Sequence, residues 1–256
     1  MCSSANAYDV AVPDFTFHHY PGKLHHVGAN TSWARLAPVI AARARKLPWR
    51  TRRPVLFWRG CVRGSRIRSR LVPLLQRLGR EDVGVPIDAR DSGYFGRSRD
   101  YVPVDRQCDA RFLLHLDGNA YSASLKYKLA CGSVVVVVGS PFHEWWYAGL
   151  REGVHYVRVD GPNVWRDDAA IAAEWSDKTL PALSAVVANL SATADGRRRA
   201  RRIGANGQRL ALSLDADAIA CYWTAVLGKY IALLASLQEA AALSTSAHMA
   251  AEHHNW

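Results

Sequence analysis

The sequence predicts an α/β protein with a Rossmann-like parallel sheet followed by a helical C-terminal region. Between residues 54 and 159, short apolar segments alternate with amphipathic segments of helix length, which is the order of strands and crossover helices in a parallel sheet. Residues 134–138 are five consecutive valines, and this lack of polar alternation is typical of a central strand covered on both faces. From residue 164 onward, apolar residues recur at helical spacing.

The composition is that of a globular protein that can bury a large core. The 256 residues are 49% hydrophobic and 21% charged, with a formal net charge of +11. This excess of positive charge favours an anionic partner, but the basic residues are dispersed rather than interleaved with aromatics, so nucleic acid is not expected as the partner.

We expect no membrane span, because no uninterrupted apolar run reaches about 18 residues. The first residues also lack the pattern of a signal peptide.

The five cysteines are an odd number and leave the disulfide state open. They lie at positions 2, 61, 108, 131 and 221. None belongs to a Cys-x-x-Cys pair or to a Cys/His cluster with the spacing of zinc ligands. We therefore expect no structural metal site.

The N-terminal segment predicts extended chain and then a helix. Residues 8–20 alternate apolar and polar side chains. Asp9 and Asp14 in this segment could be catalytic, as could the two histidines that follow, but a short polar edge segment is the favoured interpretation. Residues 30–32, Asn-Thr-Ser, offer an N-cap, and residues 33–46 follow with apolar side chains at helical spacing.

A short apolar strand, residues 54–60, runs into a turn rich in glycine and arginine. An amphipathic helix, residues 65–78, follows, so the carboxyl end of the strand presents hydrogen-bond donors to a ligand. Arg59 and Arg63 fit bidentate phosphate contacts and fit a solvated basic turn equally well. Two arginines further along the helix are interpreted as solvated: Arg68 and Arg70.

The following segments complete the predicted sheet. Residues 83–89 predict a strand and residues 91–106 a loop. Residues 111–117 predict the next strand, 121–130 a crossover helix, and 154–159 the last strand.

The turn before the crossover helix is a candidate phosphate site. Gly118, Asn119 and Ser122 lie between the apolar strand and the helix. Such a turn exposes backbone N–H groups, and the helix dipole that starts there favours an anion. A nucleotide is therefore the expected ligand of this turn.

Residues 141–150 predict a short aromatic helix with Glu144 at its start. A carboxylate at the carboxyl edge of a parallel sheet can accept hydrogen bonds from ribose hydroxyls. A glutamate in the first helical turn also complements the helix dipole. The residues alone leave both interpretations open.

The C-terminal part predicts four helices, at residues 167–175, 179–190, 194–212 and 216–243. Asp215 or Asp217 caps the last of them. Residues 197–202 read RRRARR, and a solvated helix face is favoured over a nucleic-acid patch. The residues after 244 predict a flexible tail.

Taken together, these segments resemble the CAP10/Rumi-like protein O-glucosyltransferases, glycosyltransferase family 90. The matching pieces follow the order of the family and cover nearly the whole chain: YDVAVPDFTF, LPWRTRRPVLFWRG, VPVDRQCDARFLLHLDGNAYSASLKYKLACGSVVV, SPFHEWWYAGLREGVHYVRV and ACYWTAVLGKY. WRG or ACGS alone would be a weak signal, whereas the ordered set is specific.

The resemblance implies a GT-B arrangement of two Rossmann-like lobes, in which the C-terminal lobe holds a UDP-sugar. It implies transfer of glucose or xylose to a hydroxyl of a protein or glycan acceptor, in the secretory pathway. Arginine, lysine and helix N-termini can stabilise the leaving diphosphate without a metal, so we expect an inverting transferase that needs no metal cofactor. It also divides the chain into residues 1–50, a remnant of the N-terminal region; 51–243, the donor-binding domain; and 244–256, a tail.

The resemblance assigns donor-binding roles to residues on three segments: Arg59, Gly60, Arg63, Arg66, Gly118, Asn119, Tyr121, Ser122, Ser124, Lys126 and Glu144. The turn at 60–66 is expected to face the diphosphate or the sugar, and Glu144 to lie near the nucleotide. Many animal members carry arginine where this chain has Ser124. Lys126 is therefore expected to supply the positive charge to the phosphates.

The resemblance identifies no catalytic residue. Family members have a further segment ahead of the part that matches residues 8–17, and that segment carries the aspartate assigned as the catalytic base. This chain starts after it, as an N-terminally truncated member would. The leading hypothesis is a UDP-sugar transferase. The alternatives are a non-catalytic nucleotide-sugar-binding fragment or pseudoenzyme, and a basic nucleic-acid-binding protein.

Overall fold

The computed structural model describes residues 3–4, 10–18, 31–63, 65–78, 85–93, 98–139, 141–163 and 166–252. Side chains are described at these positions except at 3–4 and 242–252. Asp9, His19 and Gly64, which belong to segments discussed above, lie outside the described residues. So do the last four residues of the predicted tail.

The central sheet is parallel throughout. The strands are β1 Ser3–Ser4, β2 Arg53–Gly60, β3 Ile87–Asp91, β4 Ala110–His115, β5 Val134–Val138, β6 Phe142–His143 and β7 Val157–Val159. Five of them form one sheet in the order β3-β2-β4-β5-β7, and every neighbouring pair is parallel. β1 and β6 pair separately and are antiparallel. The predicted Rossmann-like sheet is therefore confirmed.

Helices connect and cover the strands. They are α1 Trp33–Lys46, α2 Arg66–Leu78, α3 Leu125–Ala130, α4 Asp168–Glu174, α5 Leu180–Ala192, α6 Ala194–Leu212 and α7 Ala216–Glu252. The side chains of Asp167 and Thr193 cap α4 and α6 by accepting backbone N–H bonds. The helical C-terminal region is confirmed, and α7 continues to Glu252, beyond the point where a flexible tail was predicted.

Both faces of the sheet are covered, which explains the unbroken apolar sequence of its central strands. Successive side chains of a strand point to opposite faces. Trp58 of β2 and Val136 of β5 belong to the main core, together with residues of α2, α5 and α6. Phe57 and Val135, one position away on the same strands, are buried as well.

The predicted aromatic helix at residues 141–150 is wrong. Phe142 and His143 form β6 and pair with β1. A 3₁₀ turn follows only at Tyr147–Gly149. Pairing with β1 uses the backbone of the first two residues in an extended conformation, so an α-helix cannot start there.

Two other predicted elements are shorter than expected. The last strand spans only Val157–Val159, because the backbone N–H groups of Val154 and His155 both bond to the carbonyl of Arg151 in a turn. The crossover helix begins at Leu125 rather than at residue 121. Residues 121–124 instead form the irregular turn that is described below with the candidate site.

A disulfide joins Cys108 to Cys131. It links the 3₁₀ segment Val104–Asp109, directly before β4, to the C-terminal end of α3. Among the described cysteines, Cys61 and Cys221 are free thiols.

The chain separates into two compact units, residues 1–213 and residues 214–256. The second unit is built on α7. By length and composition, residues Ala216–Ala241 could cross a membrane, with a mean hydropathy of 1.5 in the most apolar window and none of that window buried. Lys229 interrupts this segment, so it holds no uninterrupted apolar run of spanning length. The boundaries that the family resemblance implies, at residues 50 and 243, stay predictions.

Candidate functional site

Most of the predicted site residues follow β2 or β4 in the chain and lie on or beside the loops at one edge of the sheet. β2, β4 and β5 are parallel neighbours, so their carboxyl ends lie side by side. Residues 61–63 and 65 follow β2, and the turn at 116–124 follows β4. In open α/β sheets this edge is where ligands bind.

Arg59, the penultimate residue of β2, is held by the β3 side of the sheet. Its guanidinium donates to Asp88 Oδ1 at 2.8 Å, to the Asp88 carbonyl at 2.9 Å and to the Asp100 carbonyl at 2.9 Å. Its side chain is 8% exposed and stacks over Phe57 at 4.3 Å from the ring centre. Burial lowers the pKa of Arg59. The predicted donor contact stays a prediction, but the structure shows that this side chain holds β2 to β3.

Three further predicted residues lie at the end of β2, in the turn after it and at the start of α2, and they have different surroundings. A Cβ at Gly60 would lie 2.5 Å from the Trp58 ring, so any larger residue here would require the indole or the backbone to shift. Arg63 is exposed. Arg66 bonds to Asp168 Oδ1 at 2.9 Å, and both side chains are about half exposed. Arg66 therefore ties α2 to α4 at the surface.

Arg68 is the arginine that α2 directs to the turn after β4. Its Nη2 donates to the Leu116 carbonyl at 2.8 Å and to Ser122 Oγ at 3.0 Å. Its Nη1 donates to the Cys61 carbonyl at 3.2 Å. The guanidinium carbon lies 5.7 Å from the Trp58 ring centre. Arg68 thus connects the turns that follow β2 and β4.

Other residues of the 116–124 turn extend this arrangement. Ser122 Oγ lies 3.0 Å from Ser124 Oγ. The Ser65 hydroxyl donates to the Gly118 carbonyl at 3.2 Å, and Asn119 is exposed. The turn thus combines fixed hydroxyls with an exposed amide at the sheet edge.

Lys126 lies in a buried ion pair. It has no exposed surface, and its Nζ is 3.6 Å from Asp14 Oδ1. Nζ also donates to Thr16 Oγ1 and, at 3.3 Å, to the Ala123 carbonyl. It lies 4.3 Å from the centre of the Phe17 ring. Burial lowers its pKa, and Glu144 and Asp14 oppose that shift. Phosphate contact by Lys126 stays a prediction.

Asp14 links the N-terminal segment to the same turn. It is 4% exposed, and its Oδ2 accepts the Tyr121 hydroxyl at 2.9 Å. Its Oδ1 accepts the backbone N–H of Thr16 at 2.9 Å and caps the 3₁₀ turn Phe15–Phe17. The polar edge segment expected from the sequence is wrong for Asp14, because its carboxylate is buried against Lys126.

Glu144 is the third charge of this cluster. It is 4% exposed and accepts the Trp146 indole N–H at 3.1 Å and the Tyr147 hydroxyl at 3.3 Å. Burial raises its pKa to about 7, Lys126 lowers it, and Asp14 raises it. The carboxylate therefore organises its own aromatic segment. A ribose contact stays a prediction. We name Asp14, Lys126 and Glu144 the buried charge cluster.

A second group of buried charges lies at the end of β4. Lys128 donates to the Leu114 carbonyl at 2.8 Å, and burial lowers its pKa to about 7. His115 is fully buried, and burial with Lys128 and Arg68 nearby lowers its pKa well below the usual value. His115 is therefore neutral at physiological pH. Asp117 Oδ1 lies 4.0 Å from His115 Nε2.

The structure brings some predicted residues together and separates others. Ser122, Ser124 and Gly118 lie around the Arg68 guanidinium, and Tyr121 reaches the buried charge cluster. Arg59 and Arg66 bond to other parts of the protein, at Asp88 and Asp168.

Sequence reasoning missed Arg68, which it interpreted as solvated. Arg68 lies four residues before Val72 and seven before Leu75, both of which are buried. That spacing puts all three on one face of a helix. An arginine in the first turn on the buried face of α2 could have been recognised from this periodicity.

Asp14 and Lys126 lie 112 positions apart in the chain, and no sequence pattern connects them.

Within the residues that the structure describes, no group of three or more His, Cys, Asp or Glu side chains is arranged to hold a metal ion.

Comparison with known proteins identifies the family. The model of glycosyl transferase family 90 matches residues 1–248. The chain belongs to this family. O-glucosyltransferase rumi of Drosophila melanogaster is 28% identical over 241 residues, which cover 88% of this chain and 52% of that protein. O-glucosyltransferase LpsA of Dichelobacter nodosus is 32% identical over 126 residues, covering 49% of this chain and 37% of that protein.

A third relative, protein O-glucosyltransferase 1 of Bos taurus, is 27% identical over 206 residues, which cover 77% of this chain and 47% of that protein. The chain thus spans about half the length, or less, of these relatives. Among solved structures, Anabaena HepE in complex with UDP and glucose has a TM-score of 0.41 at 12% identity. It covers 75% of this chain and 44% of HepE.

Proposed function

We propose that this family 90 chain forms the donor-binding part of a glycosyltransferase that moves glucose from UDP-glucose to an acceptor hydroxyl. Family membership supports the reaction class, and three relatives bear the name of O-glucosyltransferases. The observation that carries the proposal is the bond between Arg68 and Ser122 at the carboxyl edge of the sheet. In folds of this kind that edge forms the ligand crevice. We interpret the sheet as the C-terminal lobe of a GT-B enzyme.

The proposed roles follow from the charge that develops during transfer. As the bond between the sugar and UDP breaks, the diphosphate gains negative charge. Fixed cations and donors stabilise such charge without reorganising. The guanidinium of Arg68 is held by neutral oxygens of Leu116, Ser122 and Cys61, so it offers its charge in a fixed position. The exposed side chains of Arg63 and Asn119 can extend the contact toward the nucleotide.

Titration calorimetry with UDP tests the site. Arg68→Gln removes a charge-assisted bond, which corresponds to about 2 kcal/mol and roughly 30-fold weaker binding. Arg70→Gln is the matched control, because Arg70 is on the same helix but pairs with Asp168 at the surface. Equal losses in both variants, or no UDP binding to the unmodified chain, would show that the site assignment is wrong.

Donor choice and metal dependence are further parts of the proposal. Glucose is favoured over xylose because the relatives are named for glucosyl transfer. Competition between UDP-glucose and UDP-xylose tests this choice. We propose that arginine rather than a metal ion neutralises the diphosphate, so EDTA should leave UDP affinity and turnover unchanged. Metal-restored activity after EDTA treatment would contradict it.

Binding of the donor without transfer is the second candidate function. It is favoured by the engagement of both carboxylates in the buried charge cluster: Asp14 bonds to Tyr121 and Thr16, and Glu144 bonds to Trp146. Neither is therefore assigned as the base that deprotonates the acceptor. Release of UDP from UDP-glucose by the purified chain, followed over time, separates turnover from binding alone.

We further propose that the protein works in the secretory pathway. The Cys108–Cys131 disulfide supports this location, because disulfides form and persist in oxidising compartments. Expression of the full-length protein with a compartment-specific biotinylation enzyme tests it. Labelling by the cytosolic enzyme but not by the lumenal one would contradict the proposal.

A further inference from the structure

A cavity lies at the opposite edge of the sheet from the candidate donor site. It has a volume of about 270 Å³, and its polar and aromatic lining comes from Trp49, Arg50, Arg111, Arg197, Arg198 and Arg201. Trp49 and Arg50 precede β2, and Arg111 is the second residue of β4. These residues therefore mark the amino ends of the strands. We name this site the basic cavity.

Two of its arginines are fixed by backbone carbonyls. Arg111 donates to the carbonyls of Trp49 at 3.2 Å and Arg50 at 2.9 Å. Arg197 donates at 2.9 Å to the carbonyls of Ser191 and Ala192, at the end of α5. Carbonyl groups hold a guanidinium in place but do not neutralise its charge. Each of these side chains therefore keeps its positive charge in a defined position.

The other charges of the cavity are poorly compensated. Arg198 pairs with Asp195 at 3.2 Å, and both side chains are mostly exposed. Among the described residues, neither Arg50 nor Arg201 makes an ion pair. Five arginines thus surround the cavity, with one carboxylate paired to them. These arginines repel one another, and a bound anion relieves that repulsion.

Trp49 adds an aromatic surface and a hydrogen-bond donor. Its ring packs edge-on against Phe112 at 6.3 Å between centres and has the Arg52 guanidinium 6.0 Å from its own centre. Within the described part of the chain, its buried indole N–H has no hydrogen-bond partner. A buried donor without a partner destabilises a protein unless a ligand or water accepts from it.

Helical spacing explains why only part of the basic run 197–202 belongs to the cavity. Arg197, Arg198 and Arg201 lie on one face of α6, since residues three and four apart are neighbours on a helix. Arg199 and Arg202 do not line the cavity. All five arginines of the run are exposed, as expected for a solvated helix face, and three of them also border the cavity.

We propose that the basic cavity binds a small organic phosphate or sulfate ester. Arginine forks match the oxygens of a tetrahedral oxyanion in paired hydrogen bonds. A cavity of about 270 Å³ is larger than the oxyanion alone requires, and the indole of Trp49 offers a surface for the organic group. The proposal does not depend on the donor site, which lies at the other edge of the sheet.

Calorimetric titration at physiological salt tests the proposal with three probes: glucose 6-phosphate, glucose 6-sulfate and unmodified glucose. We expect both esters to bind and glucose not to bind. Arg201→Gln should weaken ester binding at least tenfold. Arg202→Gln is the matched control, because it removes the same charge from the same helix outside the cavity, and it should leave the affinity within twofold.

The variants also separate the site from a diffuse basic surface. Equal weakening by Arg201→Gln and Arg202→Gln would overturn the proposal, as would the absence of ester binding at 10-fold lower salt. Binding of an oligonucleotide that the esters do not displace would assign the surface to nucleic acid instead. Arg68→Gln should leave ester binding unchanged, so failure of the donor-site assignment is distinguishable from failure of this one.

Discussion

Replacing Lys126, the cation of the buried charge cluster, should lower the free energy of unfolding. A lysine that only bound phosphate could be replaced without such a loss. The Lys126 Nζ lies 3.6 Å from Asp14 Oδ1, and neither side chain is more than 2% exposed. At an effective dielectric constant of about 20, two unit charges at this distance attract by about 5 kcal/mol. Lys126→Met leaves Asp14 and Glu144 buried without their cation, so we expect a loss of about 3–5 kcal/mol.

A double-mutant cycle tests whether Lys126 stabilises the fold by pairing with Asp14 or acts only as a phosphate ligand. Asp14→Asn keeps an acceptor for Thr16 but removes the charge. If the two groups stabilise each other, the double variant should lose about 2 kcal/mol less than the sum of the single variants. Lys46→Met, at an exposed position of α1, is the control and should change stability by less than about 0.5 kcal/mol.

Chemical denaturation followed by circular dichroism measures these free energies of unfolding. For a protein of this size, a loss of about 4 kcal/mol also lowers the melting temperature by roughly 10 °C. Additive effects of the two single substitutions would refute the reasoning, because additivity means that Asp14 and Lys126 do not interact. A loss below about 1 kcal/mol for Lys126→Met would refute it as well.

Three further predictions concern protonation, backbone space and the disulfide. The pKa of Glu144 is raised to about 7 in the folded state. Its contribution to stability should therefore be present below pH 4.5 and be lost as the pH rises through 7. In measurements of unfolding free energy against pH, Glu144→Gln should flatten the curve between these two values. Gly60→Ala puts a Cβ 2.5 Å from the Trp58 ring. Thermal melting should show that the free energy of unfolding falls by about 1–3 kcal/mol. An unchanged melting temperature would contradict the close contact. The Cys108–Cys131 disulfide closes a loop with a sequence separation of 23. Reducing it should lower the free energy of unfolding by about 3 kcal/mol, measured by comparing denaturation curves with and without reductant. Equal curves would show that the bond adds no stability.

The strands and long helices could be predicted because their signals are local. Val134–Val138 has the bounds that the valine run predicts, and α6 begins and ends where the periodicity predicts. In these segments, burial and helical spacing agree with the backbone preference of each residue. No distant partner decides the conformation.

The aromatic segment around Glu144 could not be predicted in the same way. Its composition fits a helix, but Phe142 and His143 pair with β1, which lies about 140 positions earlier in the chain. The carboxylate of Glu144 then accepts bonds from Trp146 and Tyr147. Tertiary pairing therefore overrides the local preference of this segment, and only the fold shows it.

The location of the candidate site could be predicted from the sequence, but only some of the side chains that form it could. Parallel strands bring their carboxyl ends to one edge, so Gly118 and Ser122 could be assigned from their position after β4. The partners of Arg59 and Lys126 could not, because Asp88 and Asp14 are distant in the chain. A basic residue near such an edge can bind a ligand or neutralise a buried carboxylate, and the sequence does not distinguish the two.

The turn after β4 receives an arginine from the neighbouring helix α2. Arg68 donates to Ser122, and the Ser122 hydroxyl in turn contacts Ser124. A guanidinium therefore reaches this turn from α2, whereas Lys126 of α3 pairs with Asp14 and holds the N-terminal segment against that helix.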